Sequence, residues 1–193
     1  MNKLSKIIVS MIIINILNVN YIIGVQYLYQ VKNQESGVES SISTVASPSF
    51  TFESEAQVLM EPSTGEILYA NNETEHMLPA SVTKVMTLLL IMEQIDGGVL
   101  DYTDTVTCSK NASEMGGSQI WFEEGEQITI DEALKAICIV SANDVTVAMA
   151  ELIGGSEENF VMAMNAKAKE LGMENTHFVN SHGIDEEGHY TCA

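Results

Sequence analysis

The chain reads as an α+β protein, with one β-hairpin at the start of its folded part and a succession of helices after it. Three observations predict this. Residues 56–60 and 66–70 are short apolar segments on either side of Glu61-Pro62-Ser63-Thr64-Gly65, a Pro/Gly turn joining two strands. From Val85 to Ile95 the chain is apolar on nearly every side, the pattern of a helix buried on most faces. Thr129-Ile130-Asp131-Glu132 is a capping box that opens another helix. Two strands seldom form a stable sheet unaided. The hairpin is therefore expected to belong to a sheet whose other strands are missing from this stretch.

At 193 residues there is room for one domain and a tail. Lys3 and Lys6 precede a mostly apolar run from Ile7 to Val25, so residues 1–25 read as a signal peptide or an N-terminal membrane anchor. As a helix, residues 7–25 would reach roughly 28 Å, close to the thickness of a bilayer's hydrocarbon core. Either reading sends the rest of the chain out of the cytoplasm. Residues 26–54, polar and then serine-rich, read as a flexible linker. Residues 55–193 are left as the domain.

Composition narrows the function. With 27 acidic and 8 basic residues the net charge is −19, a surface that repels nucleic acid and suits a soluble domain outside the cell. Cys108, Cys138 and Cys192 are odd in number and lack metal-site spacing, so no disulfide framework is expected. Cys138 reads as a small core residue. His177, His182, His189 and Cys192 are too irregularly spaced for a zinc site, and no metal or cofactor is expected. Gly116-Gly117-Ser118 lacks the Lys-Ser/Thr that would make it a phosphate loop, and the neighbouring Trp121 reads as core packing in preference to a place near a cleft mouth.

The helices follow in order. Pro79 disfavours helix at Ala80, so the apolar helix should begin near Ser81 and end at Asp96-Gly97-Gly98. Weak strand signals lie at Thr105-Val106-Thr107. The helix opened by the capping box, with Leu134, Ile137 and Cys138 at helical spacing, ends near Val140. After the break at Ser141-Ala142-Asn143, Asn143 or Asp144 is expected to cap a helix running to Gly154-Gly155. Ser156 opens the next, with Phe160, Ala163, Met164, Ala168 and Leu171 as its buried stripe and Gly172 as its stop. Residues 176–193 read as loop.

Two motifs carry chemistry. In Ser81-Val82-Thr83-Lys84 the three-residue spacing places hydroxyl and amine on one side of a helix's first turn. There unpaired N–H groups and the helix dipole favour developing negative charge. A lysine drawn into an apolar setting loses preference for its charged form and can serve as a base for the serine. Sixty residues later, Ser141 and Asn143 put a second hydroxyl and an amide at a helix break, where the hydroxyl can relay a proton. The amide is expected to hold Lys84 or a substrate carbonyl.

Together these motifs match the S-x-x-K and S-x-N elements of penicillin-recognising enzymes. The surrounding text, including Pro79-Ala80-Ser81-Val82-Thr83-Lys84-Val85-Met86-Thr87, Ser141-Ala142-Asn143-Asp144, Glu170-Leu171-Gly172-Met173, Asn175-Thr176-His177-Phe178 and Ser181-His182-Gly183-Ile184-Asp185, resembles the low-molecular-weight penicillin-binding proteins, the serine-type D-alanyl-D-alanine carboxypeptidases of peptidase family S11. The resemblance runs from about Ala56 to the last residue. It implies a β-lactamase/transpeptidase-like fold, an α/β sandwich of which this chain holds the N-terminal hairpin and the helical lobe. It implies Ser81 as nucleophile and Lys84 as base, with Ser141 and Asn143 completing the polar network and Ser81 and Asn143 meeting substrate. The Ser81 N–H would give half of an oxyanion hole. The implied substrate is a peptidoglycan stem peptide ending in D-Ala-D-Ala, and β-lactams are the implied covalent inhibitors.

Two features depart from the pattern. No Lys-Thr-Gly occurs in the sequence, although the family carries that motif on a strand further along the chain. The chain also stops at Cys192-Ala193, where the family continues. A fragment or a truncated gene product is expected, and the competing reading is a catalytically inactive module with a wall-binding or interaction role. A class A β-lactamase is disfavoured, because neither Glu170 nor Glu174 has an asparagine four residues on.

Overall fold

The computed structural model describes residues 53–192. The expectations for residues 1–25 and for the linker up to residue 52 lie outside it.

Strands β1 (Gln57–Met60) and β2 (Ile67–Asn71) form the expected antiparallel hairpin, with Gln57 opposite Asn71 and a register shift between Leu59 and Met60. One oxygen of Glu61 ties the turn by accepting from Ser63 N, Thr64 N and both hydroxyls. A second antiparallel pair joins β3 (Thr105–Thr107) to β4 (Gln127–Thr129). The sequence gives no strand signal at 127–129. Three residues are too few for a readable alternation, and the partner residues lie 20 to 24 positions earlier.

The apolar helix starts more tightly than expected. Ala80 stands at φ +45°, Ala80–Thr83 is a 3-10 turn, and α1 occupies Lys84–Asp96. A short α2 (Lys110–Ser113) follows β3. The capping box is present, with Thr129 accepting from Glu132 N and Glu132 reaching back to Thr129 N, and it opens α3 (Ile130–Lys135). The chain then widens into a π turn, Ala136–Val140, before α4 (Asn143–Gly154) and α5 (Glu157–Glu170). Isolated bridges pair Met77 with Thr191 and His177 with Tyr190, so the last residues lie against the segment leading into the Ser81 turn.

One core cluster lies where α1, α4 and α5 meet the loop beyond them: Met86, Leu90, Ala150, Phe160, Met164, Ala168 and Phe178. Asn165 fastens that loop, donating to the Phe178 carbonyl and accepting from its N–H. The expected stripe of α5 holds at Phe160, Met164 and Ala168, while Ala163 and Leu171 are exposed.

Two expected core residues are on the surface. Cys138 is exposed because the π turn, with one more residue per turn, rotates it and Ile139 away from the stripe that buries Ile137. Trp121 is 77% exposed at φ +64°, turned outward while its neighbour Phe122 is buried.

Candidate active site

Ser81 lies in the 3-10 turn and Lys84 is the first residue of α1, which brings the two side chains together as their spacing predicts. Lys84 Nζ is 3.3 Å from Ser81 Oγ. Ser81 is exposed, whereas Lys84 is only 3% exposed. Burial lowers the lysine pKa from 10.5 to about 8, so a sizeable neutral fraction exists near pH 7 to 8.

Ser141 reaches the same point from another element. It ends the π turn in the left-handed conformation, φ +60° and ψ +36°, which costs a non-glycine residue roughly 1 to 2 kcal/mol. From there Ser141 Oγ donates to Ser81 Oγ at 2.9 Å.

Asn143 and Asp144 do not cap α4. The N-cap is Ala142, and both side chains, nearly fully buried, turn to the loop at 116–122. Asn143 Nδ2 donates to the Gly116 carbonyl at 2.8 Å and its N–H to the Ser118 carbonyl at 2.7 Å. Of the two holds expected of the Asn143 amide, on Lys84 or on a substrate carbonyl, the first is replaced by a hold on Gly116. Gly117 approaches so closely that a Cβ there would stand 2.7 Å from Asn143 Nδ2. Asp144 accepts from Ile120 N and Phe122 N, which fixes the loop on both sides of Trp121.

What holds Lys84 is a group the sequence does not reveal, the backbone carbonyl of His182, at 2.6 Å from Nζ. Beside it the Ser181 carbonyl accepts from Thr87 Oγ1, also at 2.6 Å. Gly183 lies against the Ser81 turn, where a Cβ would come within 1.9 Å of the Ala80 carbonyl oxygen. His189 joins the same contact. Its Nδ1 accepts from Val179 N, leaving Nε2 to donate to Thr83 Oγ1 at 2.7 Å. The histidines thus brace loop and turn. Among the described residues no group of three acidic, histidine or cysteine side chains has the geometry to hold a metal.

The site comprises an exposed hydroxyl, a buried amine with a lowered pKa and a second hydroxyl in line, on an α+β frame. A serine acyl-transfer enzyme with a lysine base needs groups of this kind. The sequence from residue 42 to 193 matches the D-alanyl-D-alanine carboxypeptidase family, peptidase family S11, and the chain belongs to it. It is 55% identical over 141 residues to the D-alanyl-D-alanine carboxypeptidase DacF of Bacillus subtilis, covering 73% of this chain and 36% of that protein. Its fold superimposes on the D-alanyl-D-alanine carboxypeptidase DacD of Francisella tularensis with a TM-score of 0.74 at 34% identity, over 80% of this chain and 38% of the other. Penicillin-binding protein D2 of Listeria monocytogenes, solved in its ampicillin-bound form, matches with a TM-score of 0.67 at 25% identity, over 76% of this chain and 59% of the other. The fold is therefore the transpeptidase-like fold of penicillin-binding proteins, present in part. The chain spans little more than a third of the length of the carboxypeptidases it matches.

Proposed function

We propose that this chain carries the nucleophilic half of a serine D-Ala-D-Ala carboxypeptidase. One observation carries the reading. Ser81 Oγ lies between the amine of a buried lysine and a second hydroxyl, 3.3 Å from Lys84 Nζ and 2.9 Å from Ser141 Oγ. Neutral Lys84 takes the Ser81 proton as Oγ attacks the carbonyl between the last two D-alanines of a peptidoglycan stem peptide. The C–N bond breaks, and the proton passes to the leaving D-alanine amine, with Ser141 as the relay. Water then hydrolyses the acyl-enzyme by the same proton path. Asn143 orders the 116–118 backbone beside the reacting groups and meets the substrate with Ser81. The Ser81 N–H contributes to the oxyanion site.

Family membership and the ampicillin-bound relative support β-lactams as covalent ligands of Ser81. The charged, apolar-run N-terminus supports export, with residues 1–25 as signal or anchor, 26–54 as linker and 55–193 as the partial catalytic domain outside the cytoplasm. Among the described residues no helix is long and apolar enough to cross a membrane; the composition of residues 1–25 is what supports membrane association.

The test is intact-mass measurement of the 193-residue chain after incubation with a penicillin, beside Ser81→Ala. The expected result is one covalent adduct that Ser81→Ala lacks. A folded parent chain without an adduct would assign catalysis to a longer form and refute it for this one.

A further inference from the structure

Lys84 is held more closely by a backbone carbonyl than by the serine it would deprotonate: 2.6 Å to the His182 oxygen against 3.3 Å to Ser81 Oγ. A displacement of that carbonyl therefore carries the amine with it. What fixes the carbonyl lies on a third element. Glu157 is the first residue of α5, next to the N-cap Ser156. An acid there is ordinarily explained by the helix dipole. Its Oε1, however, accepts from Ser181 N at 3.0 Å and from Ser181 Oγ at 2.6 Å. Ser181 is fully buried. The His182 ring is not what Glu157 grips. Its Nδ1 accepts from Ile184 N, and Nε2 stands 3.8 Å from the carboxylate, beyond a hydrogen bond.

We propose that Glu157 is a positioning residue for Lys84: its carboxylate fixes the Ser181–His182 backbone, whose carbonyl sets the distance between the Lys84 amine and Ser81. The chain of contacts is continuous. Glu157 holds Ser181 from α5, and the next two carbonyls dock on α1 through Thr87 and Lys84, three residues apart on one helix face. Asn180 fixes the turn internally, its Oδ1 accepting from His182 N and Gly183 N and its Nδ2 donating to the Ile184 carbonyl. The loop thus has its own shape, and Glu157 sets its height over α1. The titratable and charged groups around it are Lys84, His182, His189 and Glu186; burial lowers the His182 pKa and the Glu157 charge opposes that lowering, so Glu157→Gln removes this opposing charge while keeping the acceptor that Ser181 uses.

This inference rests on Lys84 being the base for Ser81, so its test has one readout that needs no reaction. In the 193-residue chain carrying 13C-lysine, the Lys84 side-chain resonance, assigned with Lys84→Arg, is titrated in parent, Glu157→Ala, Glu157→Gln and Ser181→Ala. Acylation by a penicillin is followed in parallel, its concentration dependence separating reversible binding from the covalent step. Glu157→Ala is expected to move the Lys84 resonance and its midpoint. It should slow the covalent step by roughly tenfold to a hundredfold with reversible affinity retained, the size a small misplacement of a reacting group produces. Glu157→Gln keeps an oxygen that accepts the same two bonds and should remain within about threefold of the parent. Ser181→Ala loses one bond of the two and should fall between. A folded Glu157→Ala with the parent's Lys84 titration overturns the proposal, as does a glutamine variant as impaired as alanine. Where Glu157→Ala does not fold, an unmoved Lys84 resonance in Ser181→Ala overturns it equally. A parent chain without a Ser81 adduct refutes the proposed function, while the Lys84 resonance still decides the positioning.

Discussion

Lys84 has two consequences that one pH series measures. Burial holds its folded-state pKa near 8 against 10.5 for an exposed lysine. Between these values the unfolded chain binds a proton at Lys84 that the folded chain has released, so the Lys84 contribution to stability rises with pH from about 8 to about 10.5. Below pH 8 the fold bears the full cost of a buried ammonium. Denaturant unfolding across that window should show a slope more positive in the parent than in Lys84→Met, because the Cys108 thiol, pushed up from 9.0 to about 11 by burial, contributes the opposite slope equally to both. Equal slopes would mean that Lys84 titrates at its ordinary value. Because only neutral Lys84 accepts a proton, acylation of Ser81 should climb with pH and level off above about 8. Asp144 works differently, by holding backbone. Its carboxylate satisfies Ile120 N, Phe122 N and Val145 N while almost fully buried. Asp144→Ala should cost roughly 2 to 4 kcal/mol, since hydrogen bonds to a charged group are lost and buried donors are left unpaired. Trp121, the chain's single tryptophan, stands exposed between two of those bonds. Its fluorescence anisotropy should fall in the folded variant, and an unchanged anisotropy would show that the loop is held by other contacts.

At the scale of elements, the close approach of the Ser81 turn to the loop at 180–183 decides the site. Gly183 stands at φ +89°, with the Ala80 carbonyl and Thr83 Oγ1 where a side chain would go. Gly188 has nearly the same backbone, φ +88°, but its nearest neighbour is 3.6 Å from a built Cβ. Gly188→Ala should therefore cost about 1 kcal/mol of backbone strain, and Gly183→Ala several kcal/mol through the added clash. Equal costs in urea unfolding would mean that turn and loop can separate freely. This contact also bounds what could be read from the sequence. Caps and spacings are local, so the Thr129–Glu132 box, the Ser156 cap and the Ser81–Lys84 pairing were legible, each set by residues three apart. The holder of Lys84 is a main-chain carbonyl 98 residues away, and no side chain announces it. The π turn was equally hidden. It begins as the α-helix that its capping box specifies, and only the extra residue per turn brings Ser141 to Ser81 and moves Cys138 to the surface. Asn143 and Asp144 are cap-type residues, and local propensity placed them as caps. Tertiary bonding to the 116–122 loop took both side chains instead.

For the whole molecule, two surface properties oppose each other. The chain carries a net charge of −19, which keeps copies apart. The hairpin meanwhile exposes apolar side chains on both of its faces: Leu59 is 56% exposed, Met60 50%, Ile67 53% and Leu68 50%. Alternation along a strand sends Ile67 and Leu68 to opposite sides, so no single covering layer hides both. Within the described residues each of these strands has only one hydrogen-bonded neighbour, which leaves open edges beside the apolar faces. Charge repulsion between exposed groups is screened within roughly 8 Å at physiological salt, whereas burial of apolar surface is not weakened by it. Association of the isolated chain should therefore increase from low to physiological ionic strength, the opposite of what a contact made by ion pairs would do. Sedimentation at several protein and salt concentrations reads this directly. Leu59→Lys with Ile67→Lys should lower the association, because it removes apolar area and places charge beside the open edges. The net charge becomes less negative by two in that variant, so a model of association governed by overall charge predicts more assembly rather than less. If the lysine variant associates as strongly as the parent, the hairpin is not the surface responsible.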